Sequence, residues 1–267
     1  MGNKVAIAIG AHPDDIEFYM AGTLLMLKQA GYEIHYMTVA NGSCGSTQYN
    51  AAMLRSIRNS EARASAKILG AEFHPSITED LEVLYTVEQL RKVSAVIREV
   101  KPSIVLTHSP EDYMEDHMNT CRLAVTAAFT RGMPNFKSVP SRPTADYDVT
   151  IYHAMTYGMV DPLRRRIIPG AFVNTTSVHK KQLEGLSAHK SQQTWLDVSQ
   201  GMSSLLLAVE DLALQVGRLS RKFKYAEGWR RHLHHGYSAK DTDPVGEALG
   251  KNYLVNKAYE RICQRGY

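Results

Sequence analysis

Short apolar runs alternate with helix-length stretches through the first half of this chain, and that alternation leaves few folds open to it. The first run, Val5-Ala6-Ile7-Ala8-Ile9-Gly10, is continuously apolar, as in a strand covered on both faces. Residues 4–10 read as that strand, 17–30 as a helix stopped by Gly31, and 33–40 as a second strand. A loop rich in Gly and Ser spans 41–50. The clearest helix, 51–69, is rich in Ala and Arg, carries Glu61, and closes at Gly70. A strand at 71–74, a helix at 86–100, a strand at 103–107 and a helix at 118–131 complete the series. The pattern predicts an α/β fold: a Rossmann-like, mostly parallel sheet of order 3-2-1-4-5, flanked by helices.

Beyond residue 132 the pattern changes. A stretch with Pro134, Pro140 and Pro143 reads as loop, 148–156 as a further strand and 178–193 as helical. In 196–218, Leu205, Val209, Leu212 and Val216 recur at helical spacing, which suits packing on the sheet or on another subunit and leaves a homo-oligomer open. The chain, 1–267, reads as a single domain with 196–267 as a C-terminal helical extension. The basic and aromatic tract from Arg221 to His235 reads as a surface segment or a subunit contact.

Two polar clusters follow predicted strands. The first is His12-Pro13-Asp14-Asp15, the second His108 through Asp112, Tyr113 and Asp116 to His117. With order 3-2-1-4-5 the first and fourth strands are neighbours, so both clusters face one crevice at the carboxyl ends of the strands. His and Asp are suitable ligands for Zn²⁺ or another divalent ion, and a spare carboxylate beside them can take a proton. Alternatively, each cluster simply caps the helix that follows it. Arg58 offers a planar donor fork to a substrate, or pairs with Glu61 along its helix.

These residues resemble the zinc-dependent de-N-acetylases of the PIG-L and LmbE family. The resemblance rests on His12-Pro13-Asp14-Asp15, on Arg58, Glu61, Leu69 and Gly70, on His117, and on Leu186, His189, Ser191 and Gln192. It implies a divalent metal, Zn²⁺ or similar, on His12, Asp15 and His117, with Asp14 as general base toward metal-bound water. Arg58, Asp112, Tyr113 and His189 would lie on the substrate side. The implied reaction removes an N-acetyl group from an amino sugar such as N-acetylglucosamine, or from a sugar conjugate. Other readings are a metal hydrolase of another amide or ester, and a non-catalytic sugar-binding protein. The family's second motif usually reads His-x-x-His; here Met114 stands at the first His.

Composition removes several classes. Three Cys at 44, 121 and 263, without a Cys-x-x-Cys pair, argue against a thiolate metal site or a disulfide framework. A net charge of +4 is too small to point to nucleic acid. The first apolar run is too short for a membrane span or a signal peptide, so no membrane span and a cytoplasmic location are expected.

Overall fold

The computed structural model describes residues 3–199 and 205–264; Met1-Gly2 and residues 200–204, part of the predicted C-terminal helix, lie outside them. Five parallel strands form the expected half of the sheet: β1 (Val5–Gly10), β2 (Glu33–Thr38), β3 (Glu72–His74), β4 (Ile104–Thr107) and β5 (Thr150–Ala154). β6 (Ala171–Asn174), β7 (Ala226–Arg231) and β8 (Tyr253–Val255) extend it to the order β3-β2-β1-β4-β5-β7-β6-β8. β7 is antiparallel to both β5 and β6, and β8 is antiparallel to β6. The basic and aromatic tract is therefore corrected: its middle is an interior strand rather than a surface segment.

The continuous apolar run of β1 is explained by burial on both sides. Ala6 and Ala8 face one apolar cluster, while Val5, Ile7 and Ile9 face the other. The first face is covered by α1 (Asp15–Tyr19), α2 (Ala21–Gln29), α3 (Ala51–Leu69), α6 (His179–Leu186) and α8 (Leu205–Ser220), which contribute Leu24, Ala66, Leu186 and Val209 among others. The second is covered by α4 (Val87–Val100) and α5 (Glu115–Phe129), through Val93, Ile97, Leu123 and Ala127. Period-2 alternation along the strand sends successive side chains to opposite layers, so both must be apolar.

Two predicted helices are each divided. The 17–30 helix begins at Asp15 and breaks at Met20, whose φ of −136° is not helical. The break places the N–H groups of Gly22 and Thr23 at the start of α2, where the Glu227 carboxylate of β7 accepts both at 2.7 Å. The 178–193 helix breaks between α6 and α7 (Lys190–Ser199), and His189 sits in the break. No helix among the described residues is long and apolar enough to cross a membrane.

Candidate metal centre and active site

β1 pairs with β2 on one side and β4 on the other, so strand order reverses between β1 and β4. The chain leaves β1 through Ala11 and turns at His12-Pro13-Asp14. Asp14 adopts φ 108°, in the left-handed region that a non-glycine residue enters only at a cost. That backbone lets α1 start at Asp15 and sends the two adjacent carboxylates in different directions. Asp15 turns back, accepting the His12 N–H at 2.6 Å. Asp14 faces Arg58, with Oδ2 3.2 Å from Nη2.

His12, Asp15 and His117 converge: one ligand atom from each lies within 4.8 Å of the others. Asp15 Oδ2 is 3.4 Å from His12 Nδ1, and its Oδ1 is 3.4 Å from His117 Nε2. The far nitrogen of each ring is held by a carboxylate. Asp116 Oδ2 meets His12 Nε2 at 2.9 Å, and Asp112 Oδ1 meets His117 Nδ1 at 3.1 Å. Such outer carboxylates fix ring orientation and strengthen an imidazole as a ligand.

The electrostatics also fit a cation. Burial opposes charge on His12, but contacts with Asp116 and Asp15 outweigh it and raise the ring to about 9. Burial likewise opposes charge on His117, yet Asp15 and Asp112 raise it to about 10. Burial opposes ionisation of Asp15 too, but His117 and His108 hold it well below the usual carboxylate range. Without a metal, the carboxylates draw protons onto the rings; a divalent ion would supply that positive charge instead.

His108, Asp112 and His117 form an overlapping donor group. It suits a metal less well. His108 Nε2 already accepts the Ala11 N–H at 2.9 Å, and neither His108 nor Asp112 lines the cavity. The His108 ring instead stacks on His117, centroids 4.1 Å apart, and stiffens it.

The cavity over the cluster encloses about 280 Å³. His12, Asp14, Asp15 and His117 line it, as do Tyr113, Met114 and Arg58. Burial pushes the Asp14 carboxyl up to about 6, against the pull of Arg58. Tyr113 is raised above the ordinary phenol range by burial and nearby carboxylates, so it stays a hydrogen-bond donor. Arg58 is buried and donates to Gln192 Oε1 at 2.7 Å and to the Pro13 carbonyl. Its proposed pairing with Glu61 is not formed, because Glu61 takes the N–H and hydroxyl of Ser191 at 2.9 and 2.6 Å.

Two residues expected on the substrate side lie behind the cavity wall instead. Asp112 is buried against His117 and orients it. His189 is fully buried, with Nε2 3.3 Å from Glu17 Oε1. Sequence reasoning placed Asp116 in the second cluster without giving it a role, and it missed Asp80. Asp116 is adjacent to a proposed ligand, which was the available signal, but its contact to His12 spans 104 positions. Asp80 accepts the N–H groups of Gly42 and Cys44 and fixes the loop bordering the cavity.

Sheet order and cluster together define an α/β protein with a candidate metal-binding cluster at the switch point of its parallel strands. Residues 7–129 match the PIG-L family, described as GlcNAc-PI de-N-acetylase. The chain is 30% identical over 233 residues to the diacetylchitobiose deacetylase of Thermococcus kodakarensis, covering 85% of this chain and 82% of that one. The chain belongs to the PIG-L family. Two solved structures share the fold. The 4-carboxy-2-hydroxymuconate hydratase GalB of Pseudomonas putida superimposes with TM-score 0.73 at 22% identity, covering 90% of this chain and 98% of its own. The N,N'-diacetylchitobiose deacetylase of Pyrococcus horikoshii gives TM-score 0.71 at 23% identity, with coverages of 91% and 88%.

Proposed function

We propose that this protein is a metal-dependent hydrolase that removes the N-acetyl group from an amino sugar or sugar conjugate. The observation that carries the reading is the division of labour between adjacent carboxylates: Asp15 joins the two imidazoles, while Asp14 stands apart on Arg58 and faces the cavity. Kinship with a diacetylchitobiose deacetylase supports the same reading.

His12, Asp15 and His117 would hold the ion, Zn²⁺ in our reading, which when bound supplies Lewis acidity toward an acyl carbonyl and toward water. Asp14 accepts the proton of the attacking water as its oxygen adds to the acyl carbon. The same carboxyl then returns the proton to the amide nitrogen as the C–N bond breaks, so acetate and a free amine leave. Arg58 keeps Asp14 in place through the 3.2 Å contact. Tyr113 borders the cavity as a neutral phenol and donates to the oxygen on which negative charge develops.

The test is acetate release from N-acetylated sugars by protein of known metal content, with and without a chelator. Release that stops on chelation and returns with metal is expected; release insensitive to chelation defeats the reading. His117→Ala should contain less divalent metal per chain than the parent. Equal content by elemental analysis would remove His117 from the site.

Met114 stands where the family commonly has His, and it lines the cavity. With Asp14 carrying the proton in both directions, Met114→Leu should be nearly silent, costing less than about 1.5 kcal/mol in stability. Met114→His should leave acetate release within about threefold of the parent. A large gain in the His variant would mean that the parent lacks its acid and would favour a sugar-binding role.

A further inference from the structure

We propose that His153, on β5, is a positioning residue for the candidate metal centre: it holds the backbone where β4 ends and, through His108, sets the His117 ring toward the ion. The inference rests on the metal reading above and deepens it, since His153 belongs to neither polar cluster.

The need for such a residue lies in the strand ladder. β4 pairs with β5 from Ile104↔Thr150 to Thr107↔His153 and no further. The next residue, His108, is buried, and its carbonyl lies beyond the ladder. A buried carbonyl without a donor is costly. The buried His153 ring takes over from the backbone, its Nδ1–H donating to His108 O at 2.9 Å. A carbonyl can only accept, so the proton sits on Nδ1. Burial keeps the ring neutral, pushing it down to about 4 against that hydrogen bond. Its Nε2 then offers a lone pair, to which His232 Nδ1 donates at 2.9 Å. Arg230 is the residue opposite His153 in the antiparallel pairing of β5 with β7. It reaches the same turn, Nη2 donating to Ser109 Oγ at 2.7 Å. One cross-strand pair therefore holds two consecutive residues of the turn.

What they hold bears on the ion. The His108 ring lies 4.1 Å from the His117 ring, centroid to centroid, with 14° between their planes. Its Nε2 is fixed by the Ala11 N–H at the exit from β1. Ser109 Oγ accepts the Glu111 N–H at 3.2 Å, which shapes the approach to Asp112, and Asp112 Oδ1 meets His117 Nδ1 at 3.1 Å. On the helix that carries His117, Cys121 Sγ lies 3.4 Å from His153 Nδ1. A shift of the His108 peptide would tilt the stacked ring and carry Asp112 with it, so His117 would lose two supports together. His153 does not line the cavity, so its effect reaches the ion only through these contacts.

The experiment titrates Zn²⁺ against a competing chromophoric chelator in the parent, His153→Leu and His153→Asn. Leucine donates nothing, whereas asparagine places an N–H donor close to the position of Nδ1. His153→Leu should weaken Zn²⁺ binding by about 10–100-fold, and His153→Asn should stay within about threefold of the parent. His153→Ala, which adds no bulk, serves if the Leu variant does not fold. A merely structural role would lower Tm and leave the Zn²⁺ affinity of the folded protein unchanged. Equal affinity in all three proteins, or equal loss in the two variants, would overturn the proposal. If the parent binds no Zn²⁺, imidazole ¹H–¹⁵N spectra of the metal-free proteins separate the two claims. His108 and His117 ring signals that move in His153→Leu but not in His153→Asn would keep the positioning role and reject the metal. Signals that respond alike in both variants would reject the role itself.

Discussion

Asp14→Asn should lower turnover by about 10²–10⁴ at saturating substrate while leaving the divalent metal content of the protein unchanged. The substitution is unusually clean at this position. Asparagine is among the few residues that tolerate positive φ, so the 108° backbone of Asp14 can be kept. Its side-chain oxygen can still accept from Arg58, which meets Asp14 at 3.2 Å. What it cannot do is take a proton from water. Asp15→Asn should do the opposite and lose metal, since both Asp15 oxygens face imidazole nitrogens, at 3.4 Å each. Turnover and metal content measured on both variants separate the roles. Loss of metal in the Asp14 variant would mean that the two carboxylates exchange parts, and unchanged turnover would mean that another group is the base.

The second large effect is on stability. Glu227→Ala should cost about 2–5 kcal/mol, because it leaves the buried N–H groups of Gly22 and Thr23 without their acceptor. In a chain of this length that lowers Tm by roughly 5–15 °C. A melting curve checks it; an unchanged Tm would mean that solvent satisfies both groups. The carboxyl also gives the fold a pH dependence. Burial pushes Glu227 up to about 7 from an ordinary 4.5, against the hydrogen bonds it accepts from Thr23, Gly22 and Gln182. A raised carboxyl binds its proton more tightly in the folded chain. Its contribution to stability is therefore full below about pH 4.5 and is lost as pH rises through about 7. Glu227→Gln removes that term, so parent and variant Tm profiles should differ across this window with that sign.

The parallel half of the sheet was readable because strands buried on two faces are continuously apolar, as Val5–Gly10 and the Ile-Val-Leu start of β4 are. The convergence of His12, Asp15 and His117 was readable because these residues follow the β1 and β4 strands closely or begin the next helix. β7 was not. Its sequence, Ala-Glu-Gly-Trp-Arg-Arg, reads as polar, and only the distant N-terminus of α2 makes an interior Glu227 tolerable. The break at Met20 has the same distant partner. His189 and Asp112 were expected on the substrate side but are not among the residues lining the cavity, since adjacency along the chain does not say which side of a cavity wall a side chain occupies. Asp116 was read as part of a polar run because its partner His12 is brought to it only by the pairing of β1 with β4.

The place of β7 also governs how the chain can be built. Synthesis delivers β5 and β6 well before residues 226–231, yet β7 is the strand that joins them. Until it arrives, β5 ends the parallel sheet with one row of backbone groups unpaired, and β6 has no strand to attach it there. A nascent or truncated chain ending before Ala226 thus presents a raw sheet edge of the kind that recruits other chains. The candidate metal-ligating residues are all made by residue 117, but the sheet beneath them closes only when residues 226–231 arrive. Closure of the sheet therefore waits on a six-residue strand more than a hundred positions beyond the candidate metal ligands.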